Sequence, residues 1–295
     1  MNRYKGVILV LLSALGFALM PTFALFAYQT GISVTTLLFI RFALASLLFF
    51  LYIFLKEIPL QLTGKDYLSL FLLGGICYNT MSNLYFTSVK YIPAALAVLM
   101  LYTYPMIVSI LSFLIDRVTP SRKVILSLGI SFMGLILVLG SSIATVNHQG
   151  VLFALGASFI YSIYIVLGNR IIRKIPSLIA TSFITLFSSV GIFLLGLLSG
   201  SLSFHFDASA WIWILGLSLF STILAIFTFF KGMELLGPTH ASILSMAEPL
   251  FAIIITVVLF QDTITLFQII GGTAVLFGAF LTAKSQEQHT AKDQN

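Results

Sequence analysis

The run ASILSMAEPLF, Ala241 to Phe251, sets a carboxylate and a helix-breaking imide side by side among residues that otherwise favour hydrocarbon. Glu248 at such a depth must be paired, protonated or turned toward water, and side chains held there against that cost commonly mark the path of a solute or ion. Pro249 has no N–H for the carbonyl four residues earlier, so a helix through this point leaves the Ser245 carbonyl free and bends. The same punctuation occurs at an offset of 144, as Tyr104-Pro105. Interrupted helices at matching places in two halves of a chain point to a binding site near the middle of a membrane.

Composition agrees with that setting. The 295 residues are 59% hydrophobic and only 8% charged, against roughly 25% charged in soluble domains, which predicts a polytopic membrane protein. The net charge of +6 does not indicate nucleic acid, because there is no soluble basic domain to bind it. A basic excess is expected where Lys and Arg gather in cytoplasmic loops. The one cysteine, Cys77, lies inside an apolar run, which leaves no intramolecular disulfide. The start, Met1 to Lys5, resembles the basic region of a signal peptide, but no cleavage site follows between Gly6 and Tyr28.

Ten runs approach the ~20 residues needed to cross a ~30 Å hydrocarbon core. They cover approximately Val7 to Tyr28, Val34 to Leu55, Tyr67 to Val89, Pro93 to Ile115, Val124 to Gly140, Val151 to Ile172, Leu178 to Leu198, Trp211 to Leu235, Thr239 to Phe260 and Leu266 to Ala283. The polar tail after Lys284 is predicted to be disordered. An amino terminus in the cytoplasm puts thirteen of the fifteen basic residues on that side, leaving Lys90 outside and Arg41 within the second run. That asymmetry predicts a multi-pass protein of the cytoplasmic (inner) membrane with both termini cytoplasmic.

The halves repeat. Gly6-Val7 returns as Gly150-Val151, Ser33 as Ser177, Ala97 as Ala241 and Pro105 as Pro249, while Pro93 pairs with Pro238 and Asp116 to Thr119 with Asp262 to Thr265 at offsets larger by one or two. Five runs per half is an odd number, so the second half is inverted relative to the first. The expected fold is an all-α membrane protein of ten transmembrane helices in two inverted five-helix repeats, 1–145 and 146–284, with a cytoplasmic tail at 285–295.

The stretch Leu37 to Ala43 in the second run, Ala95 to Ala97 ahead of Pro105, and Ala241 to Leu244 ahead of Glu248 to Phe251 resemble an EamA-type member of the drug/metabolite transporter superfamily. The acids Asp116 and Asp262, which end the fourth and ninth runs, support the resemblance. It extends from about Lys5 to Lys284. The Trp-Gly common in the first helix of that family is replaced by Gly16-Phe17. The resemblance implies a ten-helix inner-membrane carrier that exports amino acids or other small metabolites.

Two intramembrane side chains are clearly ionisable. Glu248 lies ~14 Å from the inner end of its run and Arg41 ~11 Å from the outer end of its own, so their levels differ by ~5 Å. Either the two pair, or Arg41 fastens helix-end carbonyls while a protonated Glu248 bonds a neighbouring hydroxyl. Asn79 and Asn83 share one face of the third run, as do Tyr78 and Tyr85. Their amides suit a polar solute and equally suit helix-to-helix bonding. Tyr102 and Tyr104 flank the first kink, and Tyr161 and Tyr164 lie near the middle of the sixth run; each serves packing or solute contact. The predicted cavity is lined by Glu248, Arg41, Asn79, Asn83, Tyr104 and Tyr161, with kinks at Pro105 and Pro249.

Pro93 and Pro238 suit first helical turns, and Trp211 and Trp213 suit an interfacial belt. Small-xxx-small spacings, Ser127 with Ser131 and Ala274 with Gly278, serve close packing within the bundle or dimerisation, so a monomer or a homodimer is expected. His148, His205, His240 and His289 form no metal-ligand spacing, and neither a metal nor a cofactor is expected. These features predict a secondary transporter whose two repeats rock about a midplane cavity that takes a small-molecule solute. An intramembrane enzyme acting on lipid-linked substrates would need a nucleophile beside a base or clustered acids, and neither is legible. A channel would have no need of duplicated kinks.

Overall fold

With no water in hydrocarbon, a spanning backbone must close its hydrogen bonds within each segment. The computed structural model describes residues 2–88, 91–92, 94–117, 119–139, 147–260 and 265–293, and among them there is helix but no strand. The first half holds α1 (Asn2–Ala18), α2 (Met20–Tyr28), α3 (Val34–Leu55), α4 (Gly64–Phe71), α5 (Asn79–Ser88), α6 (Ala94–Leu101), α7 (Tyr104–Asp116) and α8 (Arg122–Leu139). The second holds α9 (His148–Ile172), α10 (Ser177–Ser199), α11 (Ala210–Ser218), α12 (Ala225–Leu236), α13 (Pro238–Leu244), α14 (Glu248–Phe260) and α15 (Leu266–Asp293). Among the described residues, seven helical stretches are long and apolar enough to cross a membrane, namely Tyr4–Tyr28, Val34–Leu55, Leu96–Ile115, His148–Ile172, Ser177–Ser199, Ala210–Leu236 and Pro238–Leu259. Lys90, Pro93, Asp262 and the 145/146 boundary lie outside the described residues.

Caps set the ends of several helices. The Ser33 hydroxyl accepts from the Thr36 N–H at the start of α3, and Thr63 with Asp66 forms a capping box ahead of α4. The Asn147 side chain accepts from Gln149 and Gly150 N–H groups at the start of α9. Pro238 opens α13, as its position in the sequence predicts. The final helix runs past Lys284 to Asp293, where the sequence predicts disorder. Ala, Gln, Glu and Lys with no Gly or Pro give that stretch nothing to stop a helix already under way.

Both predicted kinks are breaks, and each proline sits in the first turn of the half-helix that follows. Pro105 is the second residue of α7, and Pro249 the second of α14. The Ser245 carbonyl, predicted to be free, is not. Ser245–Ala247 tightens into a 3₁₀ turn in which the Glu248 N–H reaches it. At the other break the Thr103 hydroxyl donates to the Met100 carbonyl at 2.7 Å, and the Ser162 hydroxyl of α9 to that of Tyr104 at 3.2 Å. A third break, at Leu19 between α1 and α2, places Pro21 in the same position.

Two π-helical turns add a second duplicated irregularity, Leu72–Tyr78 between α4 and α5 and Leu219–Leu224 between α11 and α12. Each lies beside a hydroxyl from a neighbouring helix. Ser188 of α10 donates to Gly74 at 3.1 Å, and Ser13 of α1 donates to Ala225 at 2.7 Å.

The most extensive packing pairs α8 with α15, α1 with α12, α3 with α10 and α5 with α9. Association in lipid depends on close van der Waals contact, which small residues permit. A Cβ on Gly134 of α8 would lie 2.5 Å from the Gly271 carbonyl of α15. Ser127 and Thr282 share a 2.7 Å hydroxyl contact one stretch along the same seam. The small-residue spacings therefore serve packing inside the bundle.

Candidate functional site

The breaks and the first π turn converge on a cavity of about 200 Å³. Met20 and Pro21 reach it from the start of α2, Tyr102 and Tyr104 from the break between α6 and α7, and Glu248 from the start of α14. Tyr78, last residue of the π turn, Arg41 of α3, and Tyr161 and Tyr164 of α9 also line it. A π turn adds a residue to the helical register and so re-aims the side chains that follow. Here the Tyr78 hydroxyl meets Arg41.

Five tyrosines form an arc of ring contacts. Tyr78 and Tyr164 are 6.0 Å apart, Tyr164 and Tyr161 5.9 Å, Tyr161 and Tyr104 4.8 Å, and Tyr104 and Tyr102 5.7 Å. Arg41 stands at one end of the arc and Glu248 at the other, where the Tyr102 hydroxyl faces the carboxyl. Glu248 is partly exposed, and the surface it exposes lines cavities. As first residue of α14 it also meets the positive end of a helix dipole, which favours a carboxylate by ~0.3–1 kcal/mol.

The ion pair that the sequence allows is not formed. Arg41 is 1% exposed and donates to the Met20 Sδ at 2.8 Å and the Tyr78 hydroxyl at 3.0 Å. Its guanidinium carbon lies 4.5 Å from the centre of the Phe42 ring, and its Nε has no partner. Nor does it fasten helix-end carbonyls. A side-chain ion pair joins Lys231 to Glu234, which also accepts from Ser177 at 2.6 Å.

Of the six candidate residues, Arg41, Tyr104, Tyr161 and Glu248 gather around this cavity. Asn79 and Asn83 line a neighbouring one of about 220 Å³ with Thr35, Ser199 and Ser201, and Leu38 and Ser82 border both. Asn79 Nδ2 donates to the Gly75 carbonyl and Asn83 Nδ2 to the Asn79 carbonyl, so both amides also bond their own helix. A third cavity, of about 210 Å³, lies between α6 and α14 and shares Pro21, Tyr102 and Glu248 with the first. On the other side of the breaks α7 packs on α13, and the Tyr104 hydroxyl donates to the Ser242 carbonyl at 3.3 Å. Met20, Pro21 and Phe230 were not among the sequence candidates; Met20-Pro21 is legible as a third residue-before-proline step in mid-run.

Chemically, the arrangement suits binding. Its walls are aromatic, its two ionisable groups are separate, and among the described residues no three His, Cys, Asp or Glu side chains gather in metal-binding range.

Comparison with known proteins agrees with this architecture. The chain is 29% identical over 280 residues to an uncharacterized transporter of Archaeoglobus fulgidus, covering 95% of this chain and 96% of that protein. It is 26% identical over 281 residues to the uncharacterized transporter YyaM of Bacillus subtilis, covering 91% of each. A solved crystal structure shares the fold with a TM-score of 0.82 at 18% identity, covering 95% of this chain and 96% of the other. The EamA-like transporter family model matches residues 4–140 and again 148–284. A double match spanning nearly the whole chain, with the cavity formed where both halves are interrupted, makes this protein a member of the EamA-like transporter family, within the drug/metabolite transporter superfamily.

Proposed function

We propose that this protein is a secondary transporter that exports amino acids or other small metabolites across the cytoplasmic membrane by alternating access, and that it is not an enzyme. The observation that carries the reading is the cavity between Arg41 and Glu248, formed where helices are broken. Ten crossings in two inverted repeats, 1–145 and 146–284, with 285–295 as a cytoplasmic tail, are supported by irregularities that occur in pairs. A π turn interrupts both the third and the eighth run, and a proline break both the fourth and the ninth. The packing of α1 on α12 also has its counterpart, α9 on α5, as a two-fold axis in the membrane plane requires.

With both termini cytoplasmic, the paired α7 and α13 are inner halves, and the cavity between α6 and α14 lies on the outer side of the breaks. That supports reading the state as outward-facing, with the Tyr104–Ser242 contact closing the inner side. Asn79 and Asn83 then line an outer antechamber rather than the main cavity. The test is counterflow by purified protein in liposomes against a panel of labelled metabolites. Accumulation of a labelled solute driven by unlabelled solute inside supports the reading, whereas ohmic conductance, covalent turnover or no flux in any arm rejects it.

A further inference from the structure

Arg41 presents a chemical problem that the fold leaves unsolved. A guanidinium keeps its charge at any ordinary pH and offers five donors in a planar fork. Here it is 99% buried by side-chain packing, yet its partners are one phenol, one ring face and one thioether. Thioether sulfur is a weak acceptor, and Nε has no acceptor. Glu248, the other ionisable group on this cavity, faces Tyr102 at the far end of the tyrosine arc. A buried charge normally has a counter-charge, and among the described residues this one lacks it.

We infer that the counter-charge is the solute's, and that the cavity selects a small organic anion with a flat apolar body, whose carboxylate takes the Nε and Nη edge of Arg41. This inference rests on the transport reading and names the substrate class of the same site. A carboxylate matches that edge with two parallel hydrogen bonds. On that edge Nη2 meets the Tyr78 hydroxyl at 3.0 Å, and Met20, whose sulfur lies 2.8 Å from Nη1, covers the donor beside it. It is the first residue of α2, directly after the break at Leu19, and its unbranched side chain swings aside more readily than a packed ring. The body of the solute meets Tyr78, Tyr161 and Tyr164, the last two nearly parallel at 13°. A volume of about 200 Å³ lies below the ~300–1,000 Å³ of drug-sized sites, which restricts that body to about one ring.

The test uses three probes with one body and different heads: phenylacetate, phenylacetamide and phenethylamine. Binding to the purified wild-type protein in nanodiscs is measured by calorimetry at neutral pH. Phenylacetate is expected to bind at least about tenfold more tightly than either of the others, the margin that a charge-assisted hydrogen bond gives. Arg41→Gln should remove the margin, and Met20→Leu, which keeps the volume but not the sulfur, should preserve or widen it. Preference for phenethylamine or phenylacetamide, equal binding of all three, or binding of none overturns the inference. Counterflow on the metabolite panel is scored separately. A protein that carries solute but ignores the anion loses only this inference, and a protein that carries nothing loses the transport reading.

Discussion

Glu248 is where the duplication has been broken chemically. Its counterpart at the 144-residue offset is Tyr104, so one half offers an ionisable group and the other a neutral hydroxyl, and both line the same cavity. A purely architectural repeat gains nothing from that difference. Glu248→Gln keeps volume and hydrogen bonding while removing charge. It should leave expression and thermal stability near wild type and lower counterflow by about tenfold or more. Transport with unchanged rate, affinity and pH profile would reduce Glu248 to a structural acid. Both ionisable side chains reach one cavity, as the similar levels expected from their positions along their runs allow. Their failure to pair was not legible, because depth says nothing about direction around the bundle. The helix of Arg41 packs on α10, whereas that of Glu248 packs on α1.

At the scale of the element, sequence reasoning found the breaks that occur twice and passed over the one that occurs once. Met20-Pro21 resembles Tyr104-Pro105 and Glu248-Pro249, but the position 144 residues later is Ile165, so a search for duplicated punctuation misses it. The π turns have a weak signal in Gly74-Gly75 and none in LFSTIL at 219–224. Each lies beside a hydroxyl from a neighbouring helix, which no local pattern contains. The α8–α15 seam was visible as small-residue spacing, although its partner was not. Gly271→Leu there would force a side chain against the Gly134 carbonyl. It should cost on the order of 1–3 kcal/mol and lower the thermal midpoint, while solute affinity in the folded fraction stays unchanged. An unchanged midpoint would mean that the seam opens without penalty.

For the whole molecule, the proposed orientation rests on the distribution of basic residues, and the proposed open side of the cavity rests on that orientation. In a Cys77→Ser background, cysteines placed at Gln29 and Ser203 should label with an impermeant maleimide from outside intact cells. Those placed at Gln61 and Ser285 should not. Labelling of the second pair would overturn the inverted arrangement. The most direct test of the account concerns access to one cavity from both faces by turns. Ser82, which borders both the central cavity and the Asn79 chamber, is replaced by cysteine in the same background. Alkylation by the impermeant reagent is then followed in right-side-out and in inside-out membrane vesicles, with and without a counterflow-active solute. Alternating access predicts labelling in both preparations and a change in the ratio of the two rates when solute is added. Labelling from one face alone, at a rate that solute does not alter, would contradict it.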